Sequence, residues 1–462
     1  MLLLLLLFVV CFVAVVSCTT TTTTARKDNE SPIVLVPGLG GSALEMRIQG
    51  QKPSVRHFWC AKTTRGKWER IWLDPTQLIP KQIDCWNDNM KLRYTSSQQQ
   101  EETNSTTTPP PPRQQHPQRR TGTQLRGGVG ANKEEEEEEE EWSDSFLMMA
   151  RHESSSSSSQ VHNAPGVEIR AVPGIQGLNL LPSSSGGNAY KPLVDRFANL
   201  QAFTYDFRLS PAGNPQFHED LQQLIETAFG RQDNRRVTLV THSYGCLWVH
   251  HFLTTHVTEE WKERHIEAWV PLSPAYGGVP ASLLEIVTGD TLGIPFLRPQ
   301  DVRDQQRNDE SALWLLPDPR LYSLDTLVET PHANYTAQNY VDLFRAIYFE
   351  DGPLIYDRVC HLTPWTNDNR LTDPNVTVYP VYGTNVSTSV KFVYNDGLQH
   401  PPSATVKIMD GDGTVVLRSL AAGNGWSQAH APLILDGQDH NQVLANPHTL
   451  RLLETIVLGD DN

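Results

Sequence analysis

The sequence predicts an α/β fold built on a mostly parallel central sheet, and three observations predict it. Short β-prone runs, Pro32-Ile33-Val34-Leu35-Val36, Phe203 to Arg208, Val237 to Val240, Ile266 to Leu272 and Val376 to Tyr382, alternate with helical stretches. Strands separated by helices require crossover connections and hence parallel pairing. Gly-rich or polar loops follow several of these strands, where ligands of such sheets bind. The run Val237-Thr238-Leu239-Val240-Thr241-His242-Ser243-Tyr244-Gly245, followed by Cys246-Leu247-Trp248-Val249, reads as strand, tight turn and helix.

That third stretch has the form small-x-Ser-x-Gly of a nucleophile elbow, in which a strained strand-to-helix turn exposes the serine hydroxyl. Thr241 stands where Gly is usual, and a serine in a buried turn is the structural alternative. Hydrolases of this α/β type carry their triad in the chain order Ser, acid, His. Ser243, Asp412 and His440 fill that order, each in a loop after a strand. Asp410 competes for the acid, and His430 and His448 compete for the base. A serine hydroxyl needs an imidazole to take its proton, and the imidazole needs a carboxylate on its other nitrogen. One oxyanion donor comes from the residue after the nucleophile, Tyr244, and the other from a loop after an early strand. Here that loop is Pro37-Gly38-Leu39-Gly40-Gly41-Ser42, whose spacing fits neither a dinucleotide fingerprint nor a P-loop.

The remaining segments fall in order around this core. Residues 1–18 read as a signal peptide, although no Lys or Arg precedes the apolar run and a signal-anchor is the alternative. Residues 19–31 form a linker. Residues 32–94 begin the core and carry a cap loop with five Trp or Phe rings in about thirty residues, Phe58, Trp59, Trp68, Trp72 and Trp86. Such rings partition to a lipid–water interface; a satellite hydrophobic cluster is the alternative. Residues 95–163 collapse into Gln, Thr-Pro, poly-Glu and poly-Ser and predict a disordered insertion. The core resumes over 164–280, a helical cap insertion spans 281–370, and 371–462 complete the core. The closing helix runs from Pro447 to Leu458, and Leu221, Leu224, Ile225, Ala228 and Phe229 mark one face of an earlier helix.

Composition narrows the function classes. Of the formal net charge of −15, the eight glutamates Glu134 to Glu141 supply more than half, and no distributed basic patch exists for nucleic acid. Beyond the apolar run four cysteines remain, and an oxidising compartment permits a Cys60–Cys85 bridge, while Cys246 suits a buried position. Asn-x-Ser/Thr sequons at Asn29, Asn104, Asn334, Asn375 and Asn385 agree with secretion. Asp410-Gly411-Asp412 begins like a calcium loop but lacks Gly at position six and Glu at position twelve. No metal or cofactor is expected.

From about Pro32 to Leu458, apart from the acidic insertion, the chain resembles the lecithin:cholesterol acyltransferase family, most of all its lysosomal phospholipase A2 branch. The residues that carry the likeness are Val34-Leu35-Val36-Pro37-Gly38, Ile71-Trp72-Leu73, Asp84-Cys85-Trp86, His242-Ser243, Pro274 with Gly277-Gly278-Val279, Asn334-Tyr335-Thr336, Gly411-Asp412-Gly413-Thr414-Val415, and His440 with Leu444-Ala445-Asn446. The resemblance implies Ser243 as nucleophile, Asp412 as acid, His440 as base, and the N–H groups of Leu39 and Tyr244 as oxyanion donors. It implies a membrane-binding cap on the Cys60–Cys85 loop, with Phe58, Trp59, Trp68, Ile71, Trp72 and Leu73 facing lipid. The implied activity is cleavage of a fatty-acyl ester of a glycerophospholipid through an acyl-enzyme, discharged to water or a lipid alcohol, at a membrane surface or lipoprotein-like particle, in the lysosome or vacuole or outside the cell. Transfer to a sterol or diacylglycerol as the main activity is one alternative, and a catalytically silent lipid-binding glycoprotein is another. Three departures stand out: Tyr244 where the family has Met, no partner for Cys360 in a second disulfide, and the acidic insertion.

Overall fold

The computed structural model describes residues 30–459 except 51, 53–54, 96–158, 179–187, 292–293, 295–296 and 324. The signal peptide, nearly all of the linker and the poly-Glu run therefore lie outside the described residues. Six parallel strands form the central sheet: β1 (Ile33–Val36), β2 (Leu200–Ala202), β3 (Val237–His242), β4 (Ile266–Leu272), β5 (Val381–Thr384) and β6 (Leu433–Asp436). Their spatial order is β6-β5-β4-β3-β1-β2. The chain leaves β1 for one side of the sheet and returns as β3 on the other, so the loops after β1 and β3 flank the switch point where such sheets bind ligands. Those loops are the Gly-rich Pro37–Ser42 turn and the Ser243 elbow.

Period-two alternation explains how β1 holds two layers together. Val34 and Val36 join the core on one face, with Leu239 and the helices α1 (Gln216–Arg231) and α2 (Tyr244–Thr255). Ile33 and Leu35 join the core on the other face, with Leu435, Leu453 and Val457, the last two from α6 (Pro447–Leu458). Leu221, Ile225 and Ala228 are the fully buried members of the stripe expected on α1. Over the carboxyl edge of the sheet lie α3 (Ser282–Val287), α4 (Pro299–Gln306) and α5 (Glu310–Trp314).

Two readings need correction. The strand expected over Phe203 to Arg208 lies upstream, at Leu200–Ala202. After the Phe203 N–H bonds the Leu35 carbonyl, the segment turns inward: the Tyr205 hydroxyl donates to the Pro37 carbonyl at 2.9 Å, and Arg208 is buried against Asp206. Those side-chain bonds replace a ladder. The low-complexity insertion is also shorter than read, because Arg93–Thr95 and Gln160–His162 pair as antiparallel strands.

Candidate active site

Ser243 ends a strand that is buried along its whole length and takes φ 53°, ψ −122°, while Tyr244 begins α2. A positive φ at a non-glycine residue is costly and persists only where neighbours impose it. The Ser243 N–H is tied to the Leu272 carbonyl at 3.0 Å. Gly245 has to be glycine, since a Cβ there would sit 2.6 Å from the Pro37 carbonyl oxygen. Gly38 is pressed as tightly, its absent Cβ 2.8 Å from the Ser243 Cβ, so the turn after β1 touches Ser243. Thr241, in place of the usual glycine, has work of its own: its hydroxyl accepts from the Trp269 indole at 2.9 Å and donates to the Cys246 sulfur at 3.0 Å. Cys246 is buried and unbridged.

His440 and Asp412 meet. His440 Nδ1 donates to Asp412 Oδ2 at 2.7 Å, and the His440 N–H donates to the Asp412 carbonyl at 2.9 Å. The other carboxylate oxygen of Asp412 accepts the N–H groups of Thr414 at 3.0 Å and Val415 at 2.7 Å. Burial alone pushes this carboxyl up; the His440 imidazole and the two backbone donors outweigh it and hold Asp412 below the ordinary carboxylate range. With Nδ1 committed to Asp412, Nε2 is the nitrogen of His440 left for proton transfer. The competitors lie elsewhere. Asp410 is exposed and accepts the Asn385 N–H; His430 stacks on Tyr379; His448 sits exposed in α6.

A buried relay that the sequence reading missed joins the two halves of the site. The Gly38 N–H donates to the Tyr190 hydroxyl at 2.9 Å, the hydroxyl donates to His242 Nδ1 at 3.0 Å, and His242 Nε2 donates to the His440 carbonyl at 3.1 Å. This pattern needs a neutral ring. Burial, with the neighbouring His440 second, pushes His242 down to about 3. The residue next to Ser243 thereby fixes the backbone of His440. Its sequence signal was the pair His242-Ser243; Tyr190 gave none.

The expected membrane face divides. The Cys60–Cys85 disulfide is present, and immediately before Cys60, Phe58 is 90% exposed and Trp59 40%. Ile71 and Trp72, expected to face lipid, are buried instead. Trp72 packs on Phe207 and Trp86, and its indole N–H donates to the Gly40 carbonyl at 2.9 Å, so it braces the turn beside Ser243. Ile71 lies in strand Glu69–Trp72, which pairs with Leu44–Ile48, and its carbonyl accepts from the Trp86 indole. Trp68 is covered by the guanidinium groups of Arg47 and Arg170, and Leu73 is half-buried. Below the turn, Leu39, Gly40, Trp72, Trp86 and Phe207 line a small pocket.

A family model described as lecithin:cholesterol acyltransferase matches residues 139–372, half of the sequence. The chain belongs to the lecithin:cholesterol acyltransferase family. It is 32% identical over 447 residues to a Homo sapiens protein named lysosomal phospholipase A and acyltransferase, covering 93% of this chain and 90% of that protein. It is 27% identical over 446 residues to a Mus musculus phosphatidylcholine-sterol acyltransferase, covering 93% and 85%. Among solved structures, the Tle4-Tli4 complex covers 93% of this chain and 98% of that one at 13% identity and a TM-score of 0.42, a likeness too slight to argue from. The central sheet, elbow and crossing helices are those of an α/β-hydrolase. No helix among the described residues of this acyltransferase-family chain is long and apolar enough to cross a membrane.

Proposed function

We propose that the chain is a serine-dependent phospholipase and O-acyltransferase of the secretory pathway, working at a phospholipid surface through Ser243, Asp412 and His440. The observation that carries the reading is the 2.7 Å His440–Asp412 pair, held by the His242 relay to the strand that ends in Ser243. Ser243 Oγ attacks the ester carbonyl of a glycerophospholipid while His440 Nε2 takes its proton. Asp412 keeps the imidazole in the required tautomer and stabilises the imidazolium. The N–H groups of Leu39 and Tyr244 receive the oxyanion, the first held in place by the close Gly38–Ser243 approach and the second at the start of α2. His440 returns the proton to the leaving lysophospholipid. The acyl group then passes from Ser243 to water or to a lipid alcohol, again with His440 as base. Phe58 and Trp59 enter the interfacial layer of the membrane, an aromatic pair stapled to the body by the Cys60–Cys85 bridge.

Vesicles of one mixed-chain phosphatidylcholine, with and without an added long-chain alcohol, test this when products are weighed by mass spectrometry. The wild type is expected to release a lysophospholipid with free acid, and to form the alcohol ester when the acceptor is present. Ser243→Ala should still sediment with the vesicles and lose at least a thousandfold in rate. Activity retained by that variant above a few per cent would overturn the assignment.

A further inference from the structure

The His440–Asp412 pair forms only if two loops keep a fixed separation, and one short run of chain is bonded to both. It is the segment that leaves β5, Gly383 to Thr388. Toward the acid loop, the Asn385 N–H donates to Asp410 Oδ1 at 2.6 Å, the Val386 N–H donates to the Gly411 carbonyl at 3.1 Å, and Thr388 Oγ1 accepts the Gly413 N–H at 2.9 Å. Toward the base loop, the Gly437 N–H donates to the Thr384 carbonyl at 2.8 Å, and a Cβ at Gly383 would lie 1.9 Å from the Gln438 carbonyl oxygen. Asn385 itself bonds both loops. Its backbone holds Asp410, two residues before Asp412, and its side-chain Nδ2 donates to Asp436 Oδ1, at the end of β6 and four residues before His440.

We infer that Asn385 is a positioning residue, whose side-chain amide sets the base loop against the acid loop. The inference rests on the reading above, in which His440 and Asp412 act on Ser243. Asparagine suits the place on two counts. The backbone there has φ 60°, in the left-handed region that Asn enters more readily than other residues with a Cβ, and Asp436 Oδ1 takes an uncharged donor. Glycine would satisfy the backbone and bring no amide, while aspartate would set a second carboxylate against the first. Asn385, Asp410 and Asp436 are all exposed, so the tie contributes little to overall stability. Its effect falls on geometry, where a displacement on the order of 1 Å away from the chemistry is felt strongly in rate. The same nitrogen is the acceptor atom of the Asn385-Val386-Ser387 sequon, so a lost tie has to be told apart from a lost glycan.

The test measures kcat and KM for acyl release from phosphatidylcholine vesicles between about pH 4.5 and 8. Asn385→Gly keeps the backbone and is expected to lower kcat about tenfold at unchanged KM, with little change in melting temperature. Asn385→Asp should lose more than that near neutrality and recover relative to wild type below about pH 5, where one proton bridges the two carboxyl groups. Combining Asn385→Asp with Asp436→Asn exchanges donor and acceptor across the same gap and should return kcat to within about twofold of wild type. Ser387→Ala removes the sequon, spares the amide and should match wild type. Full kcat in Asn385→Gly, or an exchange no better than Asn385→Asp alone, overturns the inference; so does an equal loss in Ser387→Ala, which assigns the effect to a glycan. Should an Asn385 variant fail to fold, judged by thermal melting, Asp436→Ala cuts the same bond from the other side, and full activity there also overturns it. In each of these cases Ser243-dependent cleavage by the wild type leaves the hydrolase reading standing. If the wild type cleaves nothing, that reading fails and takes this inference with it.

Discussion

Asp412 and Glu285 are both buried carboxyl groups, and they are pushed in opposite directions. Asp412 is fully enclosed, yet an imidazole N–H and two backbone N–H groups point at it, and it is held ionised. Glu285 is nearly as enclosed, but its charged neighbour is another carboxylate, and it is held protonated up to about pH 8. Burial is common to both, so the number of donors aimed at the oxygens decides the charge state. One arrangement suits the charge that the proposed reaction forms on His440, and the other keeps a buried acid neutral.

The most severe way to test this contrast is to spoil the donor arrangement at Asp412. Asp412→Asn keeps the shape but favours the wrong His440 tautomer, and acyl release should fall on the order of ten-thousandfold. Asp410→Asn, two residues away and exposed, should stay within about twofold in the same assay; a larger loss there than at Asp412 would reverse the acid assignment. A milder effect is expected in stability against pH. The carboxyl of Glu285 is raised in the fold from an ordinary 4.5 to about 8, so the folded state binds the extra proton between those values. Stability from this group is therefore lost as pH rises through that window, by an amount on the order of a few kcal/mol. Asp412 has the opposite sign: its contribution is present above the ordinary carboxylate range and disappears on acidification. Glu285→Gln should accordingly melt higher than wild type at pH 9 and close to it at pH 4.5, by scanning calorimetry; equal shifts at both would remove the proposed difference. The smallest effect belongs to the relay. Tyr190→Phe leaves the Gly38 N–H and His242 Nδ1 unmatched, and about 1–3 kcal/mol of stability should go with a several-fold drop in kcat at unchanged KM.

The elements on which the chemistry stands were legible because each has a strong local signature. The elbow is an apolar strand meeting a polar turn and a helix, and the closing helix Pro447–Leu458 begins and ends where its proline and following glycine place it. The ordered Ser, Asp and His loops were legible for the same reason. What resisted reading depends on tertiary context. Ile71 and Trp72 look like interfacial residues in composition, but the pairing of Glu69–Trp72 with Leu44–Ile48 and the packing of Trp72 on Phe207 turn them inward. Nothing local distinguishes Tyr190 from any other tyrosine, or Glu285 from a solvent-facing acid on a short helix; only the fold brings one to His242 and the other into a pocket.

The placing of Trp72 carries a mechanical corollary. Phe58 and Trp59 belong to a loop that Cys60–Cys85 anchors to the helix Gln82–Met90. In that helix Trp86 bears on Trp72, and Trp72 grips the Gly40 carbonyl one residue past Leu39. A load applied at this exposed tip thus has a short, stiff route of rings and one covalent link to the turn beside Ser243, the lever by which, on the function proposed above, landing on a bilayer adjusts the oxyanion cradle.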